Sequence, residues 1–131
     1  MAMTDFHPTT DDAPKRVLLV EDSPTMLRTL ERVLRAEGYV LHAVPSAEEA
    51  FRELRQHVFH AVVADYELGG SKGDQVLQAA GGLRNPPFRV LISGHHPPTR
   101  ALAASNTFDA FLVKPFALGA IVELLAQRHA R

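Results

Sequence analysis

Val17-Leu18-Leu19-Val20-Glu21-Asp22-Ser23-Pro24 is the stretch that decides the fold. Four apolar residues run without alternation, as expected of a strand covered on both faces in a parallel sheet. Two acids, a hydroxyl and a proline then end the run abruptly. Pro24 stands where a first-turn proline is tolerated, and Met26, Leu27, Leu30, Val33 and Leu34 follow at the spacing of a helical stripe. A buried strand therefore feeds directly into an amphipathic helix.

Further strand and helix patterns alternate along the chain. Ala61-Val62-Val63-Ala64, Val90-Leu91-Ile92 and Ala110-Phe111-Leu112-Val113 are again apolar on every residue, and Tyr39 to Val44 is a fifth strand nearer an edge. Ser46 with Glu49 forms a capping-box pattern ahead of Ala50, Phe51 and Leu54. Asp74 is expected to cap a helix carrying Val76, Leu77 and Ala80, which Gly81-Gly82 stops. Leu118, Ile121, Val122 and Leu125 mark a last helix, with Ala117 a poor cap for it. Pro98 to Ser105 has a helical stripe made mostly of alanine. Strict alternation of this kind predicts an α/β domain: a five-stranded parallel sheet, doubly wound by right-handed crossovers, with helices on both faces.

At 131 residues, with 46% apolar and 22% charged side chains, the chain fits one domain with a real core. Residues 1–14 carry two prolines, three threonines and three aspartates without a hydrophobic period, and read as a flexible extension ahead of a domain over residues 15–131. A formal charge of −1 argues against a nucleic-acid footprint. Cysteine is absent, which excludes disulfides and permits a reducing compartment. No apolar run approaches a membrane span and no signal-peptide core is present, so a cytoplasmic setting is expected.

Open α/β sheets bind ligands at the carboxyl ends of their strands. There the chain places Glu21-Asp22, Asp65, Ser93 and Lys114-Pro115. Singly, each reads as a turn or a cap. Jointly, three carboxylates, a hydroxyl and an ammonium converge on one edge. Carboxylates that close raise one another's pKa unless a cation intervenes. Hard oxygen donors suit Mg²⁺, whereas the lack of cysteine and of a helical histidine pair speaks against zinc there. A carboxylate nucleophile with Mg²⁺, lysine and a hydroxyl suits phosphoryl transfer to a carboxylate.

These motifs resemble the receiver domain of two-component response regulators, from about Arg16 to about Gln127. Val20 to Met26 resembles the family's acidic-pair loop, Asp65 its phosphoacceptor, and Gly73 the glycine that starts the third helix. Ser93-Gly94 and Lys114-Pro115-Phe116 resemble its hydroxyl and lysine-proline turns. The resemblance implies a flavodoxin-like fold and a cis Lys114–Pro115 bond. It implies a phosphorylation-dependent switch that is no enzyme beyond catalysing its own phosphorylation and dephosphorylation. Asp22 and Asp65 would hold Mg²⁺ directly, Glu21 through water, and Glu67 through its backbone carbonyl. Ser93 would move toward the phosphoryl group with Phe111 as aromatic switch; Phe111 also reads as an ordinary core residue.

The implied donor is a sensor histidine kinase or a histidine phosphotransfer protein, and the output is a protein contact rather than nucleic acid or membrane. Because the chain ends close after the last helix, a stand-alone receiver is expected, with a receiver excised from a hybrid kinase or larger regulator as the alternative. An aspartate-nucleophile phosphatase or phosphotransferase is the reading from another class, with Glu67 as the second carboxylate two residues on.

The chain departs from the family at three places. Gly69 stands where many relatives have proline, so a looser loop is expected. Glu67 and His95 occupy positions that tune phosphoryl lifetime. His95-His96-Pro97-Pro98 precedes the alanine-rich segment, which is expected to move; a metal role for the histidine pair is set aside. His57 and His60 are expected to bracket a helix end rather than bind a ligand, and Arg28, Arg32 and Arg35 to form a solvated face that also helps to receive the phosphodonor.

Overall fold

The computed structural model describes residues 14–69, 71–94 and 106–129. The strands of the main sheet are β1 (Arg16–Val20), β2 (Val40–Val44), β3 (Ala61–Asp65), β4 (Phe88–Ser93) and β5 (Ala110–Val113). They pair in the order β2-β1-β3-β4-β5, all parallel. The helices are α1 (Pro24–Ala36), α2 (Ala47–Gln56), α3 (Gly73–Gly81) and α4 (Leu118–His129). The doubly wound sheet expected from the alternation is the one observed. The residues expected to form the amino-terminal extension and the alanine-rich helix at Pro98 to Ser105, like His95 and His96, lie outside the described residues, apart from Pro14.

Successive side chains of a strand point to opposite faces, and that alternation divides the core. Leu18, Val20, Val62, Ala64 and Leu91 pack with α2 and α3 through Ala50, Leu54, Val76, Leu77 and Ala80. Val17, Leu19, Val63, Val90 and Ile92 pack with α1 and α4 through Leu30, Leu34, Ile121 and Leu125. Every residue of β3 is buried, which is why that strand shows no polar alternation. Each fully buried Leu, Val or Ile contributes roughly 1.5–3 kcal/mol.

The helix starts follow local chemistry. Ser23 caps α1, its Oγ accepting from the Met26 N–H at 3.4 Å, with Pro24 in the first turn. Ser46 Oγ accepts from the Glu49 N–H at 3.2 Å and donates to the Glu49 carboxylate at 3.3 Å. The expected cap of α3 is corrected. That helix begins at Gly73, its cap residue Lys72 makes no side-chain capping bond, and Asp74 lies inside the first turn. There the aspartate still complements the helix dipole.

Two further findings revise the expectations. β5 is only half buried, and Phe111 is 42% exposed with its ring edge-on to Phe108 at 6.1 Å, so it is not an ordinary core residue. The loop after Asp65 forms a short antiparallel pair, Glu67–Leu68 with Ser71–Lys72, where a looser loop was expected. Gly69 turns it with φ 69°, a left-handed conformation that the proline of many relatives could not adopt.

Candidate functional site at the carboxyl ends of the strands

Strand exits bring the polar side chains together. β1 delivers Glu21, whose N–H donates to the Val44 carbonyl at 3.1 Å. β3 delivers Asp65 as its last residue, paired in register with Ile92 of β4. Beyond β5, the Lys114 N–H donates to the Ser93 carbonyl at 2.7 Å, so the lysine turn is tied to the end of β4. The Lys114–Pro115 peptide is cis, as the resemblance implied.

Asp65 and Glu21 are 2% and 1% exposed, a rare condition for acids without partners. Their partners are specific. Asp65 Oδ2 accepts from Lys114 Nζ, and Asp65 Oδ1 accepts from the Glu67 N–H at 2.9 Å. Glu21 Oε1 lies 3.5 Å from the same ammonium, and Glu21 Oε2 accepts from the Ser23 N–H at 3.0 Å. The backbone donors of Ser23 and Glu67 were not legible in the sequence. Any residue type supplies an N–H, so only the turn geometry brings them to bear.

Burial pushes the Glu21 carboxyl up to about 7; the facing Asp65 adds to the rise, while the Ser23 N–H and Lys114 act against it. Burial alone would lower the Lys114 ammonium, but its bonds to Asp65 and Glu21 outweigh that, and it lies above its ordinary value. Two buried acids thus share one cation, and the site has room in its charge balance for another.

Asp22 is exposed at the rim, and Ser93 closes β4 half-buried. The Glu67 carboxylate turns outward, 3.7 Å from Lys72 Nζ, whose ammonium also stands 5.0 Å from the Tyr66 ring centroid. An acid engaged there is not directed at Asp65 as a second catalytic carboxylate would be. Gly73 is required by close approach: a Cβ on it would lie 1.9 Å from the Asp65 carbonyl oxygen. Its N–H donates to the Tyr66 carbonyl at 2.8 Å, so α3 starts against the backbone of the acidic residue.

His57 ends α2, its N–H donating to the Glu53 carbonyl at 3.0 Å, and His60 Nδ1 accepts from the Arg16 N–H at 3.0 Å. Both histidines bracket the exit of α2, as expected. On α1, Arg35 pairs with Glu31 at 2.7 Å on the helix surface.

Comparison with known proteins agrees with this geometry. The sequence matches the response regulator receiver domain family over residues 17–126. It is 34% identical over 109 residues to the alginate biosynthesis transcriptional regulatory protein AlgB of Pseudomonas aeruginosa, covering 82% of this chain and 24% of that protein. It is 32% identical over 108 residues to the transcriptional regulatory protein PrrA of Mycobacterium tuberculosis, covering 82% of this chain and 46% of that one. The chain thus spans less than half the length of these curated relatives.

Among solved structures, a CheY-like receiver domain protein from Methanospirillum hungatei superposes with a TM-score of 0.82 at 23% identity, over 90% of this chain and 95% of that one. A signal receiver domain of a LuxO repressor protein from Vibrio parahaemolyticus gives 0.80 at 22% identity, over 91% and 92%. Among the described residues no helix is long and apolar enough to cross a membrane. The chain belongs to the response regulator receiver domains, the signalling switches of two-component systems.

Proposed function

We propose that Asp65 is the phosphoacceptor of this receiver and that its phosphorylation, assisted by Mg²⁺, is the signal. One observation carries the reading: a buried carboxylate at the end of the central strand β3 meets the Lys114 ammonium on one oxygen and the Glu67 N–H on the other. An Asp65 oxygen attacks phosphorus, the bond from phosphorus to the donor's nitrogen or oxygen breaks, and the electron pair leaves with the donor. Lys114 then holds an anionic phosphoryl oxygen, and the Ser93 hydroxyl donates to another.

The donor set fits Mg²⁺, because hard oxygens surround a site where two acids share one lysine. Asp22 and Asp65 would hold the ion directly, Glu21 through water, and Glu67 through its carbonyl. Its chemistry would be to neutralise charge between the acids and the incoming phosphoryl group. Phe111, exposed beside Phe108, is the aromatic switch that turns inward when Ser93 moves.

The reading includes no catalysis beyond the chain's own phosphorylation and dephosphorylation, and the outward-turned Glu67 carboxylate, 3.7 Å from Lys72 Nζ, favours it over an aspartate-nucleophile phosphatase. A sensor histidine kinase or histidine phosphotransfer protein supplies the phosphoryl group in the cytoplasm, and output runs through protein contacts. The test is incubation with Mg²⁺ and a small phosphodonor, followed by intact mass. Wild type gains one phosphoryl mass and Asp65→Asn gains none. An unmodified wild type, under conditions that label another receiver, refutes the reading.

A further inference from the structure

A second group of metal-ligating side chains lies on β2 and α2, elements that supply none of the side chains gathered around Asp65. His42 of β2, Glu53 of α2 and His57 at its end bring His42 Nδ1, His57 Nε2 and a Glu53 oxygen within 4.8 Å of one another. Glu53 and His57 are four residues apart, so they stack on one face of the last turn of α2. His42 shares its face of β2 with Val44, which packs in the core beneath α2 and α3. All three are partly buried, with a side open to solvent.

The rings are already oriented. The buried Phe59 meets His42 edge-on at 5.1 Å and 90°, and His57 at 6.1 Å. His42 and His57 meet edge-on, at 4.7 Å between centroids and 63° between ring planes. His42 Nδ1 lies 2.6 Å from Glu53 Oε1, and His57 Nε2 lies 4.0 Å from the same oxygen. Metal–donor bonds of about 2.0–2.1 Å in a tetrahedral shell require donors roughly 3.4 Å apart. The two separations from Glu53 Oε1 must open and close by less than about 1 Å, and that between the histidine nitrogens, within 4.8 Å, must close by up to about 1.4 Å, all within the reach of side-chain torsions.

We propose that His42, Glu53 and His57 form a binding site for a borderline divalent transition-metal ion, namely Zn²⁺, separate from the Mg²⁺ site. Two imidazoles select against Mg²⁺, and three protein ligands leave one position for water. Without metal, Arg16 Nη1 lies 3.2 Å from His57 Nδ1, which accepts from it and keeps the proton on Nε2. Binding moves that proton to Nδ1 and requires Arg16 to turn away. Arg16 Nε is buried without a hydrogen-bond partner, so its guanidinium is incompletely held where it stands. The bound ion joins β2 to the end of α2.

The test is titration of the whole chain with Zn²⁺ in excess Mg²⁺, followed by calorimetry and by the ring ¹⁵N resonances of histidine. Saturable binding of one ion per chain at micromolar affinity is expected, with His42 Nδ1 and His57 Nε2 shifting. His42→Gln and His57→Gln each weaken it at least tenfold. Asp65→Asn and the double variant His95→Gln/His96→Gln retain it, and Arg16→Met tightens it. The ring resonances of wild type decide the matter even where a variant folds poorly. Absence of saturable binding, binding unchanged in His42→Gln and His57→Gln, or shifts confined to other histidines overturns the proposal.

Discussion

Gly73→Ala is expected to disturb Asp65 without touching its side chain. The new Cβ would lie 1.9 Å from the Asp65 carbonyl oxygen, 2.7 Å from its carbon and 3.2 Å from Tyr66 Cα. Ordinary contact is about 3.4 Å, so α3 and the exit of β3 must separate by roughly 1.5 Å, and both obstructing groups are backbone. Overpacking of this kind costs about 1–3 kcal/mol. Loss of the Gly73 N–H bond to the Tyr66 carbonyl, 2.8 Å in wild type, adds about 1 kcal/mol. The expected total is about 3 kcal/mol, or roughly 10 °C in Tm.

Gly119→Ala is the control, because nothing lies within 4 Å of its added Cβ and the position is helical; it should gain up to about 1 kcal/mol. Urea unfolding measures both variants. Because the Asp65 peptide itself is displaced, labelling by a small phosphodonor should also slow by tenfold or more. A Gly73→Ala protein as stable as Gly119→Ala, and labelled at the wild-type rate, would refute the close-approach argument.

Glu21, pushed up to about 7, binds a proton more tightly folded than unfolded. In metal-free buffer its contribution to stability therefore falls as pH rises from about 4.5 to about 7, by on the order of 3 kcal/mol, and is flat above. Glu21→Gln should be the more stable protein at pH 8 and lose that slope; parallel pH profiles from denaturant titrations would contradict this. Asp109 behaves oppositely. Burial works against its charge, but three bonds from Arg89, at 2.8, 3.3 and 3.2 Å, hold its pKa below the ordinary value. Its stabilisation is complete above the unfolded value near 3.8 and is lost as pH falls through the lower folded value, so Asp109→Asn should cost about 1–2 kcal/mol at pH 7 and little in strong acid. Gly69→Ala, at φ 69°, should cost about 1–2 kcal/mol by urea unfolding, and Gly69→Pro more; a neutral Gly69→Pro would mean the turn is dispensable.

The unbroken apolar runs of β1, β3 and β4 announced buried parallel strands because no residue in them had to face water. Ser46 with Glu49 and Ser23 with Pro24 announced helix starts because capping acts within four residues. Asp74 misled in the same window. A hydroxyl or acid ahead of a helix reads as a cap, yet α3 is started by the fit of Gly73 against the Asp65 peptide, a contact that no local pattern expresses. β5 misled as well, since an apolar run does not reveal that the strand lies at the edge of the sheet with Phe111 exposed.

Sequence alone determined the sheet's composition and which polar residues stand at strand exits, because periodicity and turn chemistry are local. It therefore named Asp65, Glu21 and Lys114 as members of one edge. The tertiary structure decided how they meet: that Lys114 spans both acids, that the Ser23 and Glu67 N–H groups hold their remaining oxygens, and that the Glu67 carboxylate turns to Lys72. It also decided that His42 joins Glu53 and His57, residues 11 and 15 positions further along the chain. Those pairings arise where separate elements pack, and a distance across packed elements leaves no period in the chain that makes it.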